Sequence, residues 1–187
     1  MTKTIIVVFF AFALLAGAAG AATVAMKISG PGAVNDSTIK AGEKVSFDFY
    51  WSNDKDRRGF STGFRLFSPT IKKVVHVADS GKGINTAGDI KGWNGWNDAS
   101  TFDLRGIIAA QKKWDGNLPD TIGFAGLCVK KIYTPHPEKK VLSFDLIIPE
   151  AGDIQIDSTF FPPGMSWKFS DGEKPAWKGP YKWKVVK

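Results

Sequence analysis

The clearest pattern in the chain is the alternation of apolar and polar residues between positions 45 and 52. Val45, Phe47, Phe49 and Trp51 alternate with Ser46, Asp48, Tyr50 and Ser52. That is the period of a strand with one buried face. Leu142, Phe144, Leu146 and Ile148 repeat the pattern, and Pro149-Glu-Ala-Gly-Asp153 turns the chain into Ile154 and Ile156. Val24 to Ser29 predicts a first strand, stopped by Gly30-Pro31-Gly32. Gly63 to Phe67 predicts another, stopped by Ser68-Pro69. In Ile71 to Ala78, Val75 and Val77 fall on one face and Val74, His76 and Ala78 on the other. Phe102 to Gln111 and Thr121 to Tyr133 supply the middle strands, and Tyr181 to Val186 the last.

The stretch from Ile154 to Tyr181 reads as strand, Pro-Pro-Gly corner, strand, Asp-Gly turn and Pro-punctuated loop. Its rings, Phe160, Phe161, Trp167, Phe169, Trp177 and Tyr181, with Trp183 beyond, exceed what one hairpin can bury, so they must close against the strands upstream. The sum is about nine short strands with turn signals at sandwich spacing. No convincing helical period of ten or more residues appears, since Ile107 to Lys113 is weak and lacks a cap. Strands in sequence without crossover helices pair mostly antiparallel. The expected fold is therefore an all-β, antiparallel two-sheet sandwich.

The first residues follow a different pattern. Met1-Thr2-Lys3 precedes an unbroken apolar run from Ile5 to Leu15, and Ala19-Gly20-Ala21 supplies a small-x-small site. This is the pattern of a bacterial secretory signal peptide. We expect residues 1–21 to be removed, leaving 22–187 as a single domain that is secreted, extracellular or at the cell surface, with the periplasm as the other address. The alternative is an apolar segment kept as an anchor. No cysteine follows the run as a lipid acceptor, and the single Cys128 in Phe124-Ala-Gly-Leu-Cys-Val reads as a small buried hydrophobe. Beyond the signal peptide no membrane span is expected.

Charge changes the picture at the C-terminal end. The formal net charge of +7 drops by one when Lys3 is lost, and Lys174, Lys178, Lys182 and Lys184 gather near the end. A basic face draws acidic polymers or surfaces, whereas lysines along an edge strand guard it against aggregation. No specific nucleic-acid motif accompanies them.

Chemistry finds little support. Gly59-Phe60-Ser61-Thr62-Gly63 matches the nucleophile-elbow pattern, but a charged loop precedes it and a strand follows, where the elbow needs a strand before and a helix after. Its partner would be His76 or His136, neither in a motif. We place His76 as a packed or edge residue and His136, between two prolines, toward solvent. Asp54 and Asp56 resemble the opening of a calcium loop, yet the later ligands are missing and Arg57 and Arg58 follow. The two histidines and one cysteine lack zinc spacing. No catalytic residue, metal or cofactor is expected, and the chain is read as no enzyme. Asn35-Asp36-Ser37 is read as a turn.

Aromatic residues in the predicted loops suit binding better. Trp93, Asn94, Trp96 and Asn97 lie in a Gly-rich stretch, Ser80 to Asn97, and Trp114 lies in another predicted turn. Flat rings beside amides can stack on and hydrogen-bond a sugar. They can equally plug the open ends of a sandwich. Trp51 and Trp167 are assigned to the core.

Three segments carry a resemblance: Ser61 to Pro69, Asp120 to Gly126, and Ile156 to Trp167 with Pro175 to Tyr181. They resemble a group of uncharacterised secreted bacterial β-sandwich proteins, similar in layout to cohesin-like and carbohydrate-binding sandwich domains. The resemblance implies a nine-stranded or jelly-roll-like sandwich outside the cell and implies no reaction. The expected function is an extracellular binding module for a glycan, an acidic surface polymer or another surface protein. The alternative is a structural or fibre subunit that self-assembles through edge strands, with Tyr181 to Val186 as the pairing edge.

Overall fold

The computed structural model describes residues 21–77, 93–96, 104–109, 115–159 and 168–187. In chain order the strands are β1 (Thr23–Ser29), β2 (Ala33–Asn35), β3 (Thr38–Lys40), β4 (Lys44–Asn53), β5 (Gly59–Phe67), β6 (Val75–His76) and β7 (Trp93–Trp96). They continue as β8 (Leu104–Ala109), β9 (Asp120–Leu127), β10 (His136–Ile147), β11 (Gly152–Ser158), β12 (Lys168–Phe169), β13 (Ala176–Trp177) and β14 (Tyr181–Val186). The described residues are all-β, as the alternation predicted. The count exceeds nine because two- and three-residue strands add themselves at the margins, too short to leave a periodic signal.

Two sheets form. One has six strands in the order β13-β1-β4-β10-β6, with β7 also on β10. The other has eight, ordered β2-β3-β14-β11-β5-β9-β8, with β12 also on β5. Most pairs are antiparallel. The exceptions are β1 with β13 and β14 with β3, both parallel. The C-terminal stretch thus touches both sheets: β12 lies on β5, β13 on β1, and β14 between β3 and β11. This corrects the expectation that Tyr181 to Val186 is a free edge. Its register runs along β11 from Gly152↔Val185 to Ile156↔Tyr181, while Lys184 to Val186 pair with Thr38 to Lys40. Lys184 and Val185 are thus paired on both sides and offer no backbone row to a neighbouring molecule, while Tyr181 to Trp183 pair in register with β11 alone among the described strands.

The core lies where the alternating faces meet. Phe49 of β4 packs against Phe64 of β5 with ring centroids 4.2 Å apart, against Phe124 of β9 at 5.6 Å and Phe144 of β10 at 5.5 Å. Phe47 stacks on Phe144 and meets Trp183 edge-on at 5.2 Å. Trp51 meets Phe60 edge-on at 3.9 Å. Trp51 is buried as expected, while Trp167 lies outside the described residues. Cys128 is buried and, as the one cysteine of the chain, forms no intrachain disulfide.

Trp177 stands in β13 and closes one margin of the core. Its ring lies 5.5 Å from Phe64 and 5.2 Å from Tyr181, and its Nε1 donates to Asp157 Oδ1 at 2.8 Å. A Cβ at Gly179 would overlap the indole, so glycine is needed there for close approach. The other predicted turn forms at Asp171-Gly172, where Gly172 has φ +86° and Glu173 N donates to Asp171 Oδ1.

Replacing Phe49 by alanine removes a ring shared by both sheets. Urea unfolding should show a loss of about 3–5 kcal/mol. Val34→Ala, at a side chain 55% exposed, should stay within about 0.5 kcal/mol of the parent protein.

Candidate interaction surface

Alternation that points Phe47 and Phe49 inward points Asp48 and Tyr50 outward, and the outward face of the six-stranded sheet is closed upon itself. Ser29 Oγ donates to Asp48 Oδ2 at 2.7 Å, and Lys140 Nζ lies 3.5 Å from Asp48 Oδ1. Ser46 Oγ donates to Asp145 Oδ1 at 2.5 Å, with Lys44 Nζ 3.3 Å from the same carboxylate. Lys27 sits 4.2 Å over the Tyr50 ring and 3.5 Å from Glu138. Lys178 pairs with Glu138 at 2.6 Å, and this bond holds the Glu138 carboxyl below the usual carboxylate range.

The outward face of the eight-stranded sheet has different chemistry. Inward Thr62, Phe64 and Leu66 on β5 leave Ser61, Gly63, Arg65 and Phe67 outward. Inward Ile122 and Phe124 on β9 leave Thr121, Gly123, Ala125 and Leu127 outward. Register sets Ser61 beside Ala125, Gly63 beside Gly123, and Arg65 beside Thr121. On this face Gly63 and Gly123 are buried and Ser61 and Ala125 half-buried, while Arg65, stacked 5.5 Å from the Phe67 ring, and Leu127, which is 43% exposed, reach solvent. Lys182 and Lys184 point outward on β14, opposite Gln155 and Asp153.

One end of this face is fastened by a buried arginine that the sequence reading did not single out. Arg57 Nη1 donates to Asn53 Oδ1 and Asp54 Oδ1, both at 2.5 Å, and Nη2 donates to Glu173 Oε2 at 2.7 Å. Its guanidinium stacks 3.9 Å from the Phe169 ring, and Asp171 lies 3.3 Å from Nε. Lys55 bridges the same Asp171 and Glu173 at 3.1 and 2.7 Å. Of the two acids that resemble a calcium loop, Asp54 thus faces a cation from its own connection. Ser170 Oγ also accepts from Arg58 N and Gly59 N, which ties the Asp-Gly turn to the start of β5. A short signal was present in the sequence: Arg57 among Asp54 and Asp56, with Asp171-Gly-Glu173 far along the chain.

The residues singled out beforehand are dispersed. Trp93, Asn94 and Trp96 lie on a strand, β7, and not in a loop as expected: Trp93 is opposite Phe144 and Trp96 opposite Leu142, with an irregularity between them. Asn97 and Trp114 lie outside the described residues. Of the lysines, Lys182 and Lys184 share one face, Lys178 belongs to the six-stranded sheet through its backbone bond to Val24 O and its pair with Glu138, and Lys174 sits in the connection between β12 and β13. Ser61 is mid-strand, paired with Ala125 and Lys168, so the sharp elbow turn is absent there. His76 is buried beside Asp120 at 3.4 Å. His136, expected to face solvent, is half-buried, and its Nε2 meets Tyr133 Oη at 2.5 Å. A groove of about 620 Å³ beside it is lined by Thr23, Ser52, Asn53 and Glu138.

The Arg57 hydrogen bond holds the Asp54 carboxyl below its ordinary value. A carboxyl depressed in the folded state stabilises the fold above its unfolded pKa, and that gain is lost as pH falls through the folded pKa. Thermal melts should therefore show Asp54→Asn less stable than the parent near pH ~6, with the gap shrinking toward pH ~2. An unchanged gap would separate Asp54 from the Arg57 cluster.

No protein-family model matches the chain, and no curated protein matches it. Among solved structures it is similar to the type III cohesin module from the cell-surface anchoring scaffoldin ScaE of Ruminococcus flavefaciens. That similarity has a TM-score of 0.50 at 12% identity and covers 95% of this chain and 93% of that one. The cohesin module of a family 33 glycoside hydrolase of Clostridium perfringens aligns over 88% of this chain and 96% of its own, at TM-score 0.46 and 8% identity. The fold is a cohesin-like β-sandwich.

Proposed function

We propose that this chain is a secreted, non-catalytic module that recognises a partner protein on the outward face of its eight-stranded sheet. The observation that carries the reading is the contrast between the two outer faces. One spends its charges on its own pairs: Lys27 and Lys178 with Glu138, Lys44 with Asp145, Lys140 with Asp48. The other sets small residues, Ser61 and Ala125 half-buried and Gly63 and Gly123 buried, beside the half-buried Phe67 and the solvent-facing Arg65 and Leu127. Small residues let a second surface approach the backbone closely.

The address belongs to the same proposal. Residues 1–21 act as a signal peptide and 22–187 as one sandwich domain. The burial of Ala22, whose carbonyl accepts from Ala176 N at 2.8 Å, supports a boundary just before it. The similar Ruminococcus module comes from a cell-surface anchoring scaffoldin, and a surface role is proposed here by analogy of fold. The competing proposal is recognition of a glycan or acidic polymer through Trp93, Asn94, Trp96, Asn97 and Trp114. Self-assembly through β14 would be limited to Tyr181 to Trp183, since β3 already pairs with Lys184 to Val186.

A photo-crosslinking residue placed at Ala125 should capture a distinct protein from the surface extract of the cells that make this chain. The same residue at Tyr50, on the self-paired face, should capture none. Ala125→Arg should abolish binding of the captured protein while leaving the melting temperature within a few degrees. Equal capture from both positions would refute the reading. Loss of glycan retention in Trp93→Ala/Trp96→Ala, with the fold intact, would favour the competing one.

A further inference from the structure

The outward face of the eight-stranded sheet carries cations that its own acids do not pair. Arg65 of β5 lies between Asp157 and Thr121, and Lys184 of β14 lies between Asp153 and Thr38. Lys182 stands two residues before Lys184, beside Gln155, which in turn lies beside Phe67. All three cationic side chains are exposed. Basic residues on an edge strand are explained as guards against aggregation. That explanation fails for Arg65 and Lys184, because their backbone is paired on both sides and no open edge remains there. Among the described residues none of the three forms an ion pair, whereas Lys44, Lys140 and Lys178 of the six-stranded sheet each hold one. The acids beside them are turned to other uses or stand apart. Asp157 Oδ1 accepts from Trp177 Nε1 at 2.8 Å and from Ser158 N at 2.7 Å, and Asp153 is opposite Lys184 without closing on it.

We propose that the partner recognised by this face is an acidic protein surface, whose carboxylates meet Lys182, Lys184 and Arg65 while its apolar side chains meet Phe67 and Leu127. This rests on the partner-binding reading above and specifies the partner's chemistry. Strand geometry puts Lys182 and Lys184 about 7 Å apart along β14, with Arg65 about 10 Å to the side, two strands over. Charges so placed steer a partner of opposite sign and fix its orientation. Two observations favour a protein over a polyanion. Asp153 and Asp157 interrupt the cations, which makes them separate points of contact, where a polyanion calls for a continuous positive track. The apolar surface lies on the same face: Leu127 is 43% exposed, and the half-buried Phe67 ring lies 5.5 Å from the Arg65 guanidinium. An acidic polysaccharide offers no apolar side chain to such a surface, and single-stranded nucleic acid needs open rings on which to stack. A polypeptide brings carboxylates and apolar groups together.

The test uses the full chain and the purified protein captured through Ala125, with association and dissociation followed separately. Lys182→Gln, Lys184→Gln and Arg65→Gln should each weaken binding up to about fivefold, the range of one solvent-facing ion pair, chiefly by slowing association. Lys27→Gln removes the same charge from the opposite face and should leave binding unchanged. Raising salt from about 50 to about 500 mM should slow association of the parent and leave that of the triple variant nearly constant. Leu127→Ser should speed dissociation at every salt concentration. A water-soluble carbodiimide, which joins an amine to a carboxylate in contact with it, should link Lys182 or Lys184 to an Asp or Glu of the captured protein. The proposal is overturned, with the partner reading intact, if binding of that protein ignores the three substitutions and salt, or if Lys27→Gln weakens it as much as they do. It is overturned in favour of a polyanion if dextran sulfate binds the parent as tightly as the captured protein and Leu127→Ser changes neither. No capture at Ala125 removes the partner reading and this proposal with it.

Discussion

Contact between the rings of Phe49, Phe64, Phe124 and Phe144 is the interaction on which the rest of this structure depends. β4 and β10 bring two of the rings from one sheet, and β5 and β9 bring two from the other. Rings of this size bury 150–250 Å² each or so, and they set how far apart the sheets lie. The same alternation that turns them inward determines what each outer face displays. Core and surface are thus two consequences of one register, and slipping β5 by one residue would exchange Phe64 for Arg65.

Packing alone would leave the sandwich open at its margins, and the C-terminal stretch closes it. After β11 it returns to β5 as β12, crosses to β1 as β13 and re-enters the other sheet as β14. Two side chains secure this path. Trp177 lies over Gly179 and donates to Asp157. Arg57 reaches from the β4–β5 connection to the Asp171-Gly-Glu173 turn and stacks on Phe169. A buried guanidinium is tolerable only with its partners in place, since burying a charge without a counter-charge costs several kcal/mol. The cluster therefore holds a specific arrangement of two distant segments, and with it the end of the sheet that carries both Leu127 and the Val129–Ile132 loop.

Function follows from what the closed sandwich leaves unsatisfied. The outer face of the six-stranded sheet pairs its own charges. The outward face of β5 and β9 instead exposes Arg65 and Leu127 beside half-buried small residues, and the loop after β9 exposes Val129 and Ile132. Both lie at or beside the eight-stranded sheet. These features favour a module that meets a partner protein with the outward face of the eight-stranded sheet. No catalytic group is needed for that work, and Ser61, His76 and His136 are each built into strand pairing, a buried pair or a local hydrogen bond.

By itself the sequence determined the sandwich, because period-two alternation is a local property: Val45 to Trp51 and Leu142 to Ile148 declare their buried faces without reference to partners. It also placed Trp51 and Cys128 inside and the Asp171-Gly172 turn where it forms. Tertiary structure alone decided the rest. Trp93 and Trp96 carry a glycine-rich signature that reads as loop, yet β10 recruits them into a strand, since an edge position tolerates weak local preference. Arg57 reads as a charge in a solvated connection, and its role depends on Glu173, 116 residues away. β14 reads as a lysine-guarded edge, and only the parallel return of β3 makes its second half interior. Pairing across such distances is set by which faces must be buried together, and no local period records that choice.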